Sequence, residues 1–519
     1  MVEAYRTSPP TFPPEEGALA AAGAVSLALS DFPRPFALAM NDIAMNSNAT
    51  IARLSEVLGR QRADFVAAGV PSAEVRIDRI DRAIALLIEN QQRICEAMAA
   101  DYSWRSHDHT RLSDIVLPLA GLRHARRHVR RWMKPQRRRP EFGLGFLGAK
   151  AMVRYQPLGS IGIIVPWNFP VAIGLSPLAE VFAAGNRAML KLSEFTPATA
   201  GLLIELLGER FDETEAAAFV GHAEVGAAFA GLPFDHIVFT GSPRVAKHVM
   251  RAAAEHLTPL TLELGGKSPT IVGRGADLKR AATRIWAGKT LNGGQACIAP
   301  DYVFVHEDDR EALIEHMAAA LARMYPTVRD NPDYTAQVTP AQHARIQSYL
   351  QDARARGTRI VEVNPANESF ADGTRKIPPT LLVDPPDDAK VMQEEIFGPL
   401  LPLKTYRDLA EALHYVNARP RPLALYYFGD DRGEAERVLS GTASGGACVN
   451  DVMQHVFQTN LPFGGCGNSG FGRYHGGEGF KAFSVARAVY VAPRMDVLSM
   501  LRPPYGSKFR RVIRFLLRA

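Results

Sequence analysis

The sequence has little cysteine, no long apolar run and no strong excess of either charge, and each of these properties excludes a class of protein. Its 519 residues include four cysteines, with no CxxC pair and no histidine cluster at metal-ligand spacing. We therefore expect reduced thiols in a cytoplasmic setting and no metal site. No apolar stretch reaches the roughly 18 to 20 residues that a membrane-spanning helix needs. Lys and Arg outnumber Asp and Glu by only 60 to 54, so we expect no nucleic-acid partner.

The first 49 residues differ in composition from the rest of the chain. An apolar run rich in Ala and Leu, residues 17–30, follows a proline-rich segment that ends in two glutamates. This segment lacks the positive cluster with which a secretory signal begins. We expect residues 1–49 to be a disordered N-terminal extension, and the alternatives are a targeting segment or a true start at Met40 or Met45.

Two further segments are strongly basic. Residues 122–140 contain nine Lys and Arg and no acidic residue. We interpret them as a solvated helix end with Trp132 packed inward, and an anionic partner site is the alternative. Residues 502–519 contain six basic residues and no acid. Four apolar residues of this tail share one helical face: Phe509, Val512, Ile513 and Leu516. The tail, within 495–519, is thus a basic amphipathic helix that either docks on the protein's own dimer, gates the substrate entrance, or makes a weak peripheral membrane contact.

Short apolar runs alternate with longer amphipathic segments after residue 160. The apolar runs are 161–165, 188–192, 235–239 and 260–264, and the helix-like segments are 172–184, 198–207 and 244–256. This alternation is typical of βαβ units and predicts a parallel sheet, which binds nucleotides at the carboxyl ends of its strands. A second α/β pattern runs from Pro269 to Val449, with its clearest strands at 302–306 and 423–428. Before these patterns, residues 77–101 have apolar residues at helical spacing and predict packed helices.

The segment GSPRVA, residues 241–246, follows one of these apolar runs and opens a helix. Backbone N–H groups at such a helix start could hold a pyrophosphate. The glycine pattern is imperfect, so on its own an ordinary strand-ending turn is the favoured interpretation and a cofactor site is the alternative.

Five segments in chain order resemble the aldehyde dehydrogenase superfamily. They are PWNFP at 166–170, KLSE at 191–194, FTGS at 239–242, ELGGKSP at 263–269 together with NGGQACIA at 292–299, and EEIFGP at 394–399. The resemblance covers about residues 50–494. PFGG at 462–465 and the stretch 469–484 look like the class 3 branch, and the basic segment before residue 142 is similar to coniferyl aldehyde dehydrogenases within that branch.

The resemblance implies a fold and a division of the chain. We expect an α/β fold with a Rossmann-like parallel-sheet NAD(P)-binding domain at 50–268, a second α/β catalytic domain at 269–449 that carries Cys297, and a return to the cofactor domain at 450–494. A small β oligomerisation element would contain a hairpin at 142–157 and a strand at 488–492. The family also implies a homodimer, and the choice between dimer and tetramer stays open.

The resemblance assigns three catalytic residues, and their chemistry follows from their types. An aldehyde carbon loses hydride readily only after a nucleophile has attacked it, and a cysteine thiol suits this role because the resulting thioester still hydrolyses. Cys297 would be this nucleophile. Asn168 and the backbone N–H of Cys297 would stabilise the oxyanion. Glu263 would be a desolvated base that activates water. Relatives that transfer the acyl group to CoA commonly lack this glutamate, so hydrolysis to the acid is favoured here.

The resemblance also implies cofactor contacts. The residues it assigns to the cofactor are Pro166, Trp167, Lys191, Glu194, Gly241, Ser242, Val245, Leu264, Gly265, Glu395 and Phe397. Lys191 and Glu194 would meet the adenosine ribose, where a carboxylate repels a 2′-phosphate and favours NAD, with NADP as the alternative. Ser242 would contact the pyrophosphate, while Glu395 and Phe397 would hold the nicotinamide ribose and ring.

Several residues depart from the family pattern. Pro243 and Ala246 replace residues common after the Gly-Ser pair, and Pro243 removes a backbone donor although proline is tolerated in the first turn of a helix. Gly293 replaces another small residue, which we treat as a minor change. We interpret His475, beside Tyr474, as a structural residue that forms hydrogen bonds or packs at an interface.

Taken together, the sequence predicts NAD(P)-dependent oxidation of an aldehyde to a carboxylic acid through a thiohemiacetal and a thioester that water resolves. The substrate would be bulky or hydrophobic, either a coniferyl-type aryl aldehyde or a medium-chain aliphatic aldehyde. A binding or scaffold protein that kept the fold is the competing hypothesis, and it would require loss of Cys297, Glu263 or Asn168.

Overall fold

The protein is represented by a computed structural model that describes residues 47–141, 144–370, 373–496 and 498–518. The expectations for the start of the chain, including the targeting segment and the starts at Met40 and Met45, lie outside the described residues. Helix α1 begins at Ser47. Three residues at the end of the predicted disordered extension are therefore helical.

The described residues form helices and strands in alternation through most of the chain. The strands are β1 (Gln136–Arg138), β2 (Lys150–Pro157), β3 (Ser160–Ile164), β4 (Arg187–Leu192), β5 (Ala216–Val220), β6 (His236–Thr240), β7 (Leu260–Glu263), β8 (Pro269–Val272), β9 (Tyr302–His306), β10 (Arg359–Glu362), β11 (Thr380–Val383), β12 (Leu400–Tyr406), β13 (Ala424–Phe428), β14 (Gly446–Val449), β15 (Gly470–Phe471) and β16 (Ser484–Val491). The helices are α1 (Ser47–Ala68), α2 (Ala73–Glu89), α3 (Gln91–Asp101), α4 (His107–Thr110), α5 (Leu117–Trp132), α6 (Pro170–Ala184), α7 (Pro197–Arg210), α8 (Ala223–Ala230), α9 (Pro243–Ala254), α10 (Leu278–Thr290), α11 (Arg310–Met324), α12 (Pro340–Ala355), α13 (Lys390–Gln393), α14 (Leu409–Asn417), α15 (Arg432–Gly441), α16 (Gly476–Ala482) and α17 (Ser507–Leu516).

The first large sheet has the strand order β15-β7-β6-β3-β4-β5. All neighbouring strands in it are parallel except β15, which is antiparallel to β7. Every residue of β4 is buried, as the covered faces of a parallel sheet require. The strand order reverses direction at β3, and such a reversal leaves a crevice at the carboxyl ends of the strands, where ligands bind.

The second large sheet has the order β10-β11-β12-β9-β8-β13-β14, and within it only the pair β10–β11 is antiparallel. It begins with β8 at Pro269 and ends with β14 at Val449, which are the limits of the second predicted α/β pattern. The α/β fold class predicted from the sequence is confirmed, whereas the domain ranges stay a prediction.

The third sheet is small and has the order β1-β2-β16. The hairpin predicted at 142–157 is wrong at its first strand, because β2 pairs with β1, which lies at Gln136–Arg138 inside the basic segment. The helix of that segment ends at Trp132, since Pro135 follows three residues later and disfavours helical backbone before it. The C-terminal strand begins at Ser484, four residues before the predicted 488, and pairs with β2 along its whole length.

The basic helix α5 packs against α2, and part of its charge is neutralised there. Arg130 forms an ion pair with Glu74 at 2.6 Å, and Arg126 is paired with Asp81. Trp132 packs against Phe480 with their ring centroids 5.6 Å apart. These contacts support the interpretation of a partly solvated helix whose tryptophan faces inward.

The predicted helical region 77–101 consists of the two helices α2 and α3, which separate at Asn90. Ile80 and Ile94 are fully buried, but Ile88 is 39% exposed, so not every apolar residue at helical spacing faces the core. Within the described residues, no helix has the length and apolar content that crossing a membrane demands.

Candidate active site

The predicted site residues gather where the strands of the first sheet end. Asn168 follows β3, Lys191 lies near the end of β4, Gly241 follows β6, and Glu263 is the last residue of β7. Ile164, Lys191 and Phe239 are register partners on three neighbouring strands. The parallel register therefore brings segments distant in sequence to one edge of the sheet.

The segment that leads to Cys297 turns sharply. Asn292, Gly293 and Gly294 all have positive φ, at 53°, 61° and 81°. A Cβ atom on Gly294 would lie 2.3 Å from the carbonyl carbon of Gly398, so only glycine allows this loop to meet the EEIFGP loop. A Cβ atom on Gly293 would lie 2.7 Å from the Thr335 carbonyl oxygen. A larger residue here would collide with the backbone, although the sequence analysis treated the presence of Gly293 as a minor change.

Asn168 is buried and joins two segments of the site. Its side-chain Nδ2 donates to the carbonyl oxygen of Gln295, two residues before Cys297, at 3.2 Å. Its own carbonyl oxygen accepts hydrogen bonds from Tyr102 Oη at 2.9 Å, Arg105 Nη1 at 2.8 Å and Asn292 Nδ2 at 2.9 Å. This network fixes the amide group next to the Cys297 loop.

Cys297 and Glu263 line one cavity together. Its apolar wall residues are Leu117, Phe169, Ala172, Ile173, Leu291, Ala296, Ile298, Met453, Val456, Phe457 and Phe463. Ser113, Ser176, Thr240, Tyr474 and His475 complete the wall. The cavity can therefore hold an apolar molecule with one end near a thiol and a carboxyl group.

The two reacting groups of the cavity have shifted pKa values. Burial raises the pKa of the Glu263 carboxyl well above its usual range, and neither of its oxygens has a hydrogen-bond partner among the described residues. Burial, Glu395 and Glu263 raise the pKa of the Cys297 thiol to about 12, although the backbone N–H groups of Cys297 and Ile298 act in the opposite direction. The protein groups around Cys297 thus favour its thiol form over the thiolate.

The crevice beside the sheet contains the residues predicted to hold the adenosine and pyrophosphate. Lys191 Nζ donates to Glu194 Oε2 at 2.8 Å, so the two residues predicted to meet the ribose lie together. Ser242 is the N-cap of α9, where its Oγ accepts from the backbone N–H of Val245, and Pro243 occupies the first turn without disturbing the helix. Val245 is 42% exposed beside this helix start, and it offers an apolar surface to a ligand.

The residues predicted to hold the nicotinamide end form a second cluster. A Cβ atom on Gly265 would lie 2.1 Å from Glu395 Oε2, so the glycine makes room for this carboxylate. Glu395 Oε1 has no hydrogen-bond partner among the described residues, and burial raises the pKa of this carboxyl to about 8. Phe397 packs edge-on against Trp167 at 5.3 Å and has a positive φ of 51°. A buried oxygen without a partner, beside a glycine cradle, fits a ligand hydroxyl group.

The remaining two predicted cofactor residues have simpler positions. Pro166 is half-buried in the turn after β3. Leu264 is buried, and its backbone N–H donates to the Ser469 carbonyl oxygen at 3.0 Å. The eleven predicted cofactor residues therefore lie in the group around Lys191 and Ser242, in the group around Glu395, or on the segments next to these groups.

Sequence reasoning missed part of the cavity wall. The wall residues Met453, Val456 and Phe457 belong to no motif that the sequence analysis used, whereas Phe463 lies in its PFGG segment. His475 was interpreted as structural, but it lines the same cavity as Cys297. Its φ of 84° is unusual for a residue with a side chain, although only the structure reveals that signal.

A thiol and a buried carboxyl group in one apolar cavity, with a side-chain amide fixed beside the thiol-bearing loop, form an arrangement that suits nucleophilic catalysis by a cysteine. The model of the Aldehyde dehydrogenase family matches residues 41–489, and the chain belongs to that family. As a member, the protein is an oxidoreductase that oxidises aldehydes.

The chain resembles named relatives over most of its length. It is 53% identical over 475 residues to a Caulobacter vibrioides protein named "Probable coniferyl aldehyde dehydrogenase", a match that covers 91% of this chain and 98% of that one. It is 49% identical over 467 residues to the coniferyl aldehyde dehydrogenase of a Pseudomonas species, covering 90% and 96% of the two chains.

Solved structures give the same family. Staphylococcus aureus AldH, solved in a substrate-bound state, matches with a TM-score of 0.83 and 34% identity, covering 89% of this chain and 99% of that one. Other solved proteins of this fold were crystallised with nicotinamide adenine dinucleotide.

Proposed function

We propose that the protein oxidises bulky or hydrophobic aldehydes to carboxylic acids with NAD, through a thioester on Cys297 that water hydrolyses. One observation carries this proposal: Cys297 and Glu263 line a single apolar cavity whose wall also holds aromatic side chains. Asn168 precedes the wall residue Phe169, and its hydrogen bonds fix its amide beside the Cys297 loop.

In the first step the Cys297 sulfur attacks the aldehyde carbon, and the thiol proton passes to solvent water as the C–S bond forms. The carbonyl oxygen becomes an oxyanion, which the Asn168 amide and the backbone N–H of Cys297 stabilise. A preorganised donor of this kind contributes about 3 to 4 kcal/mol to such a transition state. The raised pKa of the Cys297 thiol means that proton removal must accompany the attack, rather than precede it.

The second step removes hydride and the third adds water. When bound, NAD accepts the hydride from the carbon, and the oxyanion collapses to a thioester. Glu263 then takes a proton from a water molecule, and the oxygen of this water attacks the thioester carbon. The C–S bond breaks, so the carboxylic acid is released and the sulfur stays on Cys297. The raised pKa of Glu263 makes its carboxylate a stronger base than an exposed glutamate.

The donor set of the crevice fits a dinucleotide without a 2′-phosphate. Glu194 and Lys191 would hold the adenosine ribose, Ser242 at the helix start would approach the pyrophosphate, and Glu395 would hold the second ribose. Gly241 and Gly265 keep the backbone accessible at these points, and Phe397 offers a ring surface. The Glu194 carboxylate would repel a 2′-phosphate, which supports NAD over NADP.

The substrate class is tested by the formation of NADH. Purified protein is mixed with NAD and with aromatic, cinnamyl-type and medium-chain aliphatic aldehydes, and absorbance of NADH is followed. We expect the cinnamyl-type aldehydes to give the highest kcat/KM, because four aromatic side chains line the cavity. Faster turnover of small aliphatic aldehydes would contradict this substrate assignment.

We also propose a homodimer, which the third sheet supports. Strand β16 is the edge of that sheet, and its Val485, Tyr490 and Val491 are each about half exposed. Among the described residues β16 has a neighbouring strand on one side only. Its free edge could therefore pair with a strand from a second copy of this chain.

The C-terminal tail supports a further proposal, a reversible contact with an anionic membrane surface. Helix α17 carries exposed basic residues along one side, while Phe515 and Leu517 are 71% and 80% exposed. Basic charge beside exposed apolar side chains is the pattern of helices that lie in a lipid interface.

Liposome flotation tests this contact. We expect the protein to float with anionic vesicles at low salt and less at moderate salt, because salt screens the attraction. A variant with Arg510→Gln, Arg511→Gln and Arg514→Gln should stay at the bottom of the gradient, whereas the control Arg432→Gln with Arg437→Gln on α15 should float. Absence of flotation at low salt, or equal flotation of the tail variant, would reject the membrane contact.

A further inference from the structure

An ion pair between Arg105 and Asp114 lies against the segment that carries Asn168. Both side chains of the pair are fully buried, and Arg105 Nη2 donates to Asp114 Oδ2 at 2.6 Å. The other terminal nitrogen of Arg105, Nη1, donates to the carbonyl oxygen of Asn168 at 2.8 Å. One guanidinium group therefore joins a buried carboxylate to the residue that is proposed to stabilise the oxyanion.

Asp114 holds the same segment at its other end. Its Oδ1 accepts a hydrogen bond from the backbone N–H of Ala172, in the first turn of α6, at 3.1 Å. The N-cap residue of α6, Phe169, provides no side-chain cap, so the Asp114 carboxylate satisfies a donor that the start of the helix leaves free. Arg105 and Asp114 together thus fix the chain from Asn168 to Ala172 at both ends.

The chain forms a π-helical turn at Arg111–Val116, between α4 and α5, and this turn carries Asp114. Such turns are rare and are frequently found at functional sites. The same turn carries Ser113, which accepts from Arg105 Nη2 at 3.2 Å and lines the cavity. The guanidinium group also lies over the ring of the wall residue Phe169, 5.1 Å from its centroid. The ion pair is therefore connected to the cavity wall as well as to Asn168.

The physical effect expected of this pair is on position rather than on stability. Removing two charges from water costs about as much free energy as their attraction returns, so a fully buried ion pair adds little net stability. Its hydrogen bonds are directional, however, and restrict the groups that they touch. The carbonyl group and the side chain of Asn168 share one Cα atom, so holding the carbonyl oxygen also limits where Nδ2 can point. A donor stabilises an oxyanion only if it is already aimed at it, and a misplacement of about 1 Å can lower a rate by about 10²-fold.

From these contacts we propose that the Arg105–Asp114 pair positions the Asn168 amide for the oxyanion, and that it acts on the rate of hydride release rather than on cofactor binding. This inference rests on the proposed aldehyde oxidation, in which Asn168 is an oxyanion donor. Neither Arg105 nor Asp114 is among the described residues that line the cavity. Both are therefore positioning residues that act through Asn168.

A double-mutant cycle with Asn168→Ala tests this role. Stopped-flow absorbance gives the rate constant of the first NADH formed at saturating NAD and trans-cinnamaldehyde. Asn168→Ala should lower it by about 10²- to 10³-fold, the effect of losing one oxyanion donor. Arg105→Lys replaces the planar fork beside Asp114 by a point charge and should lower it by about tenfold. In the Asn168→Ala background the same Arg105→Lys change should have less than about a twofold effect, because the amide that it positions is already gone.

A second variant and a control separate positioning from folding. Arg105→Met combined with Asp114→Asn removes both charges, so no unpaired charge stays buried, and it should show the same lack of additivity with Asn168→Ala. Arg79→Lys is the matched control, because Arg79 is also buried and pairs with Glu215 at 2.9 Å but donates its hydrogen bonds away from Asn168. Its rate constant should stay within about twofold of the native value. Calorimetric titration with NAD alone should give the same Kd in all of these proteins, which shows that they are folded.

The outcomes distinguish this role from the proposed function. If the native protein forms no NADH with any aldehyde, or Asn168→Ala keeps the native rate, the proposed mechanism fails and the positioning role fails with it. If Asn168→Ala is slow but both Arg105 variants keep the native rate, the positioning role is overturned while the function stands. The same conclusion follows if the losses from Arg105 and Asn168 multiply, or if the Arg105 variants lose NAD binding.

Discussion

Replacing Cys297 by Ala should abolish NADH formation from every aldehyde that the native protein oxidises. Without the sulfur there is no tetrahedral adduct, and hydride does not leave an unattacked aldehyde carbon at a useful rate. We expect kcat to fall by about 10⁴-fold or more, which is the loss seen when a nucleophile is removed. The measurement is NADH absorbance with a saturating cinnamyl-type aldehyde.

Cys466→Ser is the matched control for this experiment. Cys466 is another half-buried thiol, and it does not line the cavity. Its backbone N–H donates to Ser469 Oγ, and the substitution leaves this hydrogen bond in place. Its activity should stay near that of the native protein. Undiminished turnover in Cys297→Ala would mean that another group attacks the aldehyde.

Replacing Glu263 by Gln should separate hydride transfer from hydrolysis. Gln has nearly the same size but cannot take a proton from water, so the thioester should form once and then persist. Mixing the variant with NAD and aldehyde should give a burst of about one NADH per subunit, followed by steady turnover reduced by about 10²- to 10³-fold. Stopped-flow absorbance measures both phases.

The burst is an internal control, because only a folded site can produce it. The native protein should also turn over faster as the pH rises, since burial raises the pKa of Glu263 well above its usual range and only the ionised carboxylate acts as the base. This pH dependence should disappear in Glu263→Gln. Full steady turnover in the variant, or a variant without a burst, would contradict the assignment of Glu263 to the hydrolytic step.

The places of Glu263 and Asn168 in the fold could be predicted because each lies in a short segment next to a strand. Glu263 ends β7 and Asn168 follows β3, and a parallel sheet brings such positions to one edge whatever the chain does elsewhere. The buried strands were equally visible as apolar runs. Their observed bounds differ from the predicted ones by at most one residue at each end, as at β3 and β6.

Other features depended on contacts between distant segments. The wall around Phe463 and His475 comes from the end of the chain, and no local pattern predicts that it closes over Cys297. The pKa of Cys297 depends on Glu395 and Glu263, whose distances to the sulfur no sequence pattern provides. Strand β1 was interpreted as part of a helix end because its arginines suit a helix, and only its pairing with β2 reveals the strand.

The central claim is that oxidation proceeds through an acyl group on Cys297, and peptide mapping by mass spectrometry tests it most directly. Glu263→Gln is mixed with NAD and trans-cinnamaldehyde, quenched in acid and digested. We predict that the peptide containing Cys297 gains the mass of one cinnamoyl group, while the peptides with Cys95, Cys448 and Cys466 do not change. An unmodified Cys297 after NADH has formed, or an acyl group on another residue, would contradict the account.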